Sequence, residues 1–254
     1  MAEALLITRN DLVRLTALNG NVDTDKFIQF IKIAQDIHIE HYLGTQLIAK
    51  LQSEVILANQ GIPTAITVTN QGTGYTTATA VNTTSATGTG LKLNITAGGG
   101  LITNATINTA GTGYKVGNTA AVTGGTNGTV TITSIYTIPT DYKDLLEIYV
   151  KPMVIYWAMV EYLPNAAYTI ANKGVYKHSS ENAENVEKTE VDFLINKYSN
   201  IAKEYTERFI EHIIYNQDKF PEYNLNSNGD TYPNDISNYG GWILILLSIF
   251  NLYI

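Results

Sequence analysis

Apolar residues recur at helical spacing before residue 63 and after residue 138, and at alternate positions between them. Thr8 or Asn10 can cap a short first helix through Leu18, stopped by Asn19-Gly20. Asp23-Thr24-Asp25 opens a second, with Phe27, Phe30, Ile31, Ala34 and Ile37 along one face and Gly44 at its end. Thr45 caps a third, turning Leu47, Ile48, Leu51 and Val55 inward. Thr140 caps a long fourth helix whose apolar surface is Leu145, Ile148, Tyr149, Ile155 and Trp157. Pro152 lies inside it and predicts a kink, because proline lacks the backbone donor; Pro164-Asn165 stops it. The last helix is expected from Ser180 to Asn216, with Leu194, Tyr198, Ile201, Tyr205, Phe209 and Ile213 inward. At 1.5 Å per residue it spans about 50 Å, long for one compact domain. Its polar beginning, Glu181 to Glu190, must project or meet a partner.

The middle of the chain repeats itself. Val68-Thr-Asn-Gln-Gly-Thr-Gly-Tyr75 returns at Ile107-Asn-Thr-Ala-Gly-Thr-Gly-Tyr114, 39 residues later. After each Tyr come a Thr/Val alternation (Thr79–Val81, then Thr119–Val122), a glycine cluster and a closing strand (Leu91–Ile95, then Val130–Thr133). β-Branched residues alternating between Gly/Thr/Asn turns predict short antiparallel strands. Two related halves imply a small β-sandwich or a pair of β-sheets. The expected fold is α+β: a helical connector-type domain, residues 1–62 and 139–225, with an inserted antiparallel β domain at 63–138. A linker and an apolar tail occupy 226–254.

Charge sharpens that division. Between Pro63 and Ile138 the only charged residues are Lys92 and Lys115, and this stretch holds 23 Thr and 13 of the 20 Gly. All 23 acidic residues therefore lie in the flanks, and the overall net charge of −7 argues against a nucleic-acid binder that works through a basic surface. With no Cys there is no disulfide framework, thiolate metal site or thiol nucleophile. Met1-Ala2-Glu3-Ala4 lacks the positive flank of a signal peptide. The longest apolar run, Trp242–Ile254, is shorter than the ~18–20 residues of a membrane span.

No constellation of catalytic residues emerges. Asp36-Ile-His38-Ile-Glu40-His41 is the one metal-like cluster, but its imidazoles are three apart, whereas an H-E-x-x-H helix spaces them by four. Ordinary polar surface is the simpler reading of His38 and His41. Gly98-Gly-Gly100 and the Gly-Thr-Gly repeats are not followed by Lys-Ser/Thr and a helix, as a phosphate loop requires, and read as turns. Calcium would want carboxylates, and the insertion has none. Ser179-Ser180 reads as a helix cap. The chain is expected to be no enzyme and to need no cofactor or metal.

Three segments resemble head–tail adaptor (connector) ring proteins of tailed phages, in particular crAss-like phages of Bacteroidetes. They are Glu40-His-Tyr-Leu-Gly-Thr-Gln-Leu47, Ile170-Ala-Asn-Lys-Gly-Val-Tyr-Lys-His-Ser-Ser-Glu-Asn-Ala183, and the end of the long helix, Tyr205-Thr-Glu-Arg-Phe with Asn216-Gln-Asp-Lys-Phe-Pro-Glu-Tyr223. The Gly-Thr-Gly-Tyr repeat looks like β modules inserted into phage virion proteins. The resemblance implies a structural virion protein at the head–tail junction, made in the host cytoplasm. It implies a homo-oligomeric ring of twelve copies below the portal protein, docking further tail or collar ring proteins, with genomic DNA passing through the lumen without specific binding. The insertion and the apolar C-terminus depart from the family pattern. A tail or surface adhesin that binds glycans through the β module is the alternative, and a hydrolase is a third, poorly supported option.

Two groups of residues are candidate partner contacts. Tyr75 and Tyr114 close the repeated motif, and aromatic rings can stack on sugars or on a partner. In the tail, Trp242, Ile243, Leu244, Leu246, Leu247 and Phe250 belong to a run whose polar exceptions are Ser248 and Asn251. Such a run needs a cover. The sequence leads us to expect an assembly element, loose in the free subunit and ordered in the ring, with folding back onto its own helices as the alternative.

Overall fold

The computed structural model describes residues 4–16, 18, 27–166, 168–171, 174–177 and 188–224. It is an α+β protein of two compact units, one formed by residues 1–52 with 141–254 and the other by residues 53–140.

In the first unit, α1 (Arg9–Leu15) begins at Thr8, which accepts from the Asp11 amide while the Asp11 carboxylate accepts from the Thr8 amide. This reciprocal cap satisfies two donors that a helix start leaves orphaned. α1 ends at Leu15, short of the expected Leu18. The next helices, α2 (Phe27–Ile33) and α3 (Glu40–Asn59), are joined by a π-helical turn at Ala34–Ile39. The turn resets the helical register. Phe27, Phe30, Ile31 and Ala34 are buried as their spacing predicts, but Ile37 is 62% exposed, and Gln35 and Ile39 turn inward instead. The buried Gln35 amide then does backbone work. Its Oε1 accepts from the Leu6 amide at 3.0 Å, and its Nε2 donates to the Ala4 carbonyl at 3.2 Å. Those bonds hold the segment that buries Leu6 and Ile7. Gly44, with φ 77°, kinks α3 instead of ending a helix there, a backbone angle other residues rarely adopt.

The same device recurs after the β unit. α4 (Thr140–Asp144) passes through a π-helical turn, Leu145–Val150, into α5 (Lys151–Tyr162). Pro152 thus sits in the first turn of α5, where its missing N–H costs least. Here too the register shifts, leaving Ile148 49% exposed while Leu145, Leu146 and Val150 are buried. α5 is the central helix, packing against α1, α2, the Ala34–Ile39 turn and the last long helix, α6 (Lys188–Tyr215). Met153, Val154, Ile155, Trp157, Ala158 and Met159 of α5 are all buried. A short hairpin, β7 (Tyr168–Ala171) with β8 (Gly174–Lys177), lies between α5 and α6 in sequence, and α7 (Pro221–Asn224) follows α6. The expected start of the last helix, Ser180–Glu187, lies outside the described residues. The expected inward stripe holds for Phe209 and Ile213. Farther toward the N-terminus the buried positions are Ala202 and Thr206, while Leu194, Tyr198, Ile201 and Tyr205 are not buried.

The second unit is one six-stranded antiparallel sheet, not the sandwich or sheet pair expected. Its strands are β1 (Pro63–Asn70), β2 (Ala78–Thr84), β3 (Lys92–Gly98), β4 (Leu101–Thr109), β5 (Thr119–Val122) and β6 (Thr129–Ile135), in the order β1-β6-β5-β2-β3-β4. β1 also packs against β4, which brings the sheet close to a barrel. Exchanging β1 with β4, β2 with β5 and β3 with β6 reverses this order onto itself, so the sequence repeat becomes a two-fold relation. The Tyr75 amide donates to the Gly100 carbonyl at 2.9 Å and the Tyr114 amide to the Gly61 carbonyl at 3.0 Å. Both donors and both acceptors are again one repeat length apart. Each half contributes a strand that the alternation after the Tyr does not announce, β1 and β4, ahead of the Gly-Thr-Gly-Tyr motif.

The unit also takes in the last turns of α3, because Glu54 is buried there and accepts a hydrogen bond from the Tyr136 hydroxyl. That bond to Glu54, with burial behind it, pushes the Tyr136 phenol up to about 12. Residues 53–140 expressed alone should therefore fold and unfold in one cooperative transition with a β-type circular dichroism spectrum. Gradual, non-cooperative melting would show that the unit depends on the helices.

Candidate functional site

Tyr75 and Tyr114, expected as partner contacts, are instead core residues, 3% and 2% exposed. Each ring lies over glycines of the opposite half. A Cβ on Gly125 or Gly128 would come within 2.6 Å or less of the Tyr75 ring or hydroxyl, and one on Gly88 would lie 2.5 Å from the Tyr114 ring. Those glycines are therefore the floor on which the rings rest, besides being turn residues. Tyr75 also donates its hydroxyl to the Val122 carbonyl at 2.7 Å and accepts from the Gly128 amide at 3.1 Å. A hydroxyl with both partners buried is a structural tie, and neither ring is available to stack on a ligand. Removing it by Tyr75→Phe strands a buried carbonyl and a buried amide, and should cost about 1–3 kcal/mol of β-unit stability. Chemical denaturation checks this; an unchanged midpoint would mean that the hydroxyl contributes nothing.

The π-helical turns place the two histidines that pack on aromatic rings. His38, on the first turn, stacks on Trp157 with ring centroids 4.0 Å apart and planes 8° apart. Its Nε2 lies 2.9 Å from Glu161 Oε1, one turn further along α5. His38 is thus not the ordinary polar surface expected, because the π-turn carries it onto α5. His41, by contrast, meets only the edge of Tyr42 among the ring contacts, at 5.1 Å. The two imidazoles are not brought to a common ligand, and among the described residues no group of three or more His, Asp or Glu is placed to hold a metal ion.

The second histidine, His212 on α6, stacks on Tyr149 of the second π-turn at 4.1 Å. Phe220 approaches at 6.1 Å. Burial lowers the imidazole's proton affinity, Lys219 lowers it further, and Asp144 partly opposes them. Since the folded state holds His212 below its ordinary value of 6.5, unfolding takes up a proton as the pH falls. Stability from this group is present above pH 6.5 and is lost as the pH drops through the lowered value. Thermal unfolding of the helical unit should therefore shift to lower temperature below pH 6.5, and His212→Gln should flatten that dependence. An equally steep slope in the variant would assign it to other groups.

Exposed large apolar side chains are spread over the helical unit, at Leu15, Ile28, Ile37 and Ile148 as well as on α6. Glu204, Glu207 and Glu211 form an acidic row at spacings of three and four on the side away from the buried stripe. Lys203 and Arg208 lie beside this row, at i,i+4 spacing from Glu207 and Glu204. Phe193 is 67% exposed, Tyr215 87% and Ile214 47%. The tail residues Trp242, Ile243, Leu244, Leu246, Leu247 and Phe250 lie outside the described residues. No helix among the described residues is long and apolar enough to cross a membrane.

The class defined by fold and surface is an α+β protein with an inserted, internally repeated β unit and a one-sided long helix. Over residues 126–233 the chain is similar to a family of unknown function, DUF6712. That span runs from the turn before β6 through every described element after it. No curated protein and no solved structure matches the chain.

Proposed function

We propose that this chain is a structural virion subunit, one of twelve in a head–tail adaptor ring below the portal protein. In this reading it forms part of the DNA channel and offers a docking site for further tail or collar ring proteins. The observation that carries it is α6, a helix with a buried stripe on one side and the acidic row Glu204, Glu207, Glu211 on the other. Repeated around a ring, that row and the net charge of −7 per chain give a lumen that repels phosphate. DNA then slides through without adhering. The inserted β unit, nearly uncharged and rich in Thr and Asn, stands as a contact module. The adhesin alternative loses its obvious stacking platform, because Tyr75 and Tyr114 are buried and the third aromatic of the insertion, Tyr136, is hydrogen-bonded to Glu54.

Mass measurement by native mass spectrometry, alone and with portal protein, tests the proposal. A closed multimer, formed alone or on the portal, is expected. A chain that stays monomeric under both conditions and binds glycan arrays would replace this reading with the adhesin. The channel role adds a second check. The wild-type chain should bind duplex DNA weakly, whereas replacing Glu204, Glu207 and Glu211 by Lys should produce salt-sensitive binding. Tight, salt-sensitive binding by the wild type contradicts the sliding role.

A further inference from the structure

The buried stripe of α6 does not stop where burial stops. Ala202, Thr206, Phe209 and Ile213 are buried; the same side of the helix continues through Val191, Ile195 and Tyr198, with Leu194 beside them. Leu194 is 37% exposed, Val191 and Ile195 are half-buried, and Tyr198 is partly covered by α5, its ring 6.0 Å from that of Tyr156. Glu190 and Asp192 flank this apolar face, so a partner fitted to it carries apolar side chains and no acid of its own.

The chain supplies such a partner. Residues 242–254 contain no charged side chain, and their only polar members are Ser248 and Asn251. The reach also fits. α7 ends at Asn224 beside the C-terminal half of α6, with the Tyr223 ring 6.5 Å from that of Phe209. From Phe209 back to Leu194 is about 22 Å along the helix at 1.5 Å per residue. The intervening residues 225–241 are rich in Asn, Ser and Gly. For a Gly/Ser-type chain of about 17 residues the r.m.s. span is roughly 23 Å. A tether whose natural span equals the distance to be bridged gives the highest effective concentration of its cargo.

We infer that Trp242–Ile254 folds back over the Val191, Leu194 and Ile195 face of its own α6, as a strap that covers both apolar surfaces in the free subunit. The sequence alone left this tail loose before assembly; the uncovered face on α6 supplies its seat. The strap keeps the subunit single until a neighbour displaces it. The inference does not rest on the ring proposal, since it concerns the free chain whatever that chain assembles into.

The chain contains no cysteine, so the variant Leu194→Cys with Ser248→Cys has a single possible intramolecular disulfide. Mild oxidation of this full-length variant at low concentration should give an intramolecular cross-link at monomer mass. Amide exchange over residues 189–201 should also quicken about tenfold or more when the chain is truncated after Tyr239, as a covered helix face becomes uncovered. A cross-link between two copies would assign the seat to a second chain's tail and overturn the inference. So would the absence of any cross-link in the folded variant, or exchange that is the same with and without the tail. The cysteine pair keeps the question decidable if the truncated chain does not fold.

Discussion

The helical unit depends on how the Trp157 indole is held. Its face lies flat on His38, and its Nε1 donates to Thr206 Oγ1 at 3.3 Å, while that hydroxyl donates to the Ala202 carbonyl at 2.8 Å. One side chain thereby joins the first π-helical turn, α5 and α6. It is 7% exposed, so its single donor needs a partner, and Thr206 is the only buried polar residue of α6. The π-turn follows from the same requirement, because it carries His38 onto the ring and Ile39 into the core. α5 ends at Tyr162, the Leu163–Asn165 turn after it still packs against α6, and Phe193 and Leu194 at the start of α6 are exposed.

The β unit solves a different problem with the same economy. With few large apolar residues it builds its core from short aliphatics and two tyrosines, and the glycines opposite each ring make room for them. The two halves are mutually dependent, since each tyrosine rests on glycines of the other half. Outside this core the strands present hydroxyls that pair with each other across the sheet, Thr64 with Ser134 and Thr69 with Thr131. Such a surface has little charge to attract or repel.

Much of this was legible in the chain and some was not, for physical reasons. The boundary prolines and the Gly-Thr-Gly-Tyr repeat act locally, so the unit borders and the two related halves could be read directly; of the expected caps, Thr8 holds, whereas Thr45 lies inside α3. A π-turn has no local signature. It inserts one residue into the helical period, and Ile37 and Ile148 therefore point outward although their spacing places them inward. The fate of Tyr75 depends on Gly125 and Gly128, some fifty residues away, so its burial is decided by a contact that pattern cannot see. Periodicity likewise identified the apolar side of α6 but not where its partner ends. The candidate contact surface shifted accordingly, from the repeat tyrosines to α6.

The central functional claim concerns position in a particle, and imaging addresses it most directly. Electron cryomicroscopy of the virion that contains this chain should place the helical unit around the DNA channel directly below the portal. The acidic row of α6 should face the lumen, with the β unit at the ring's contact surface. Density for the chain on a tail fibre or on the capsid exterior, with none at the head–tail junction, would contradict the account.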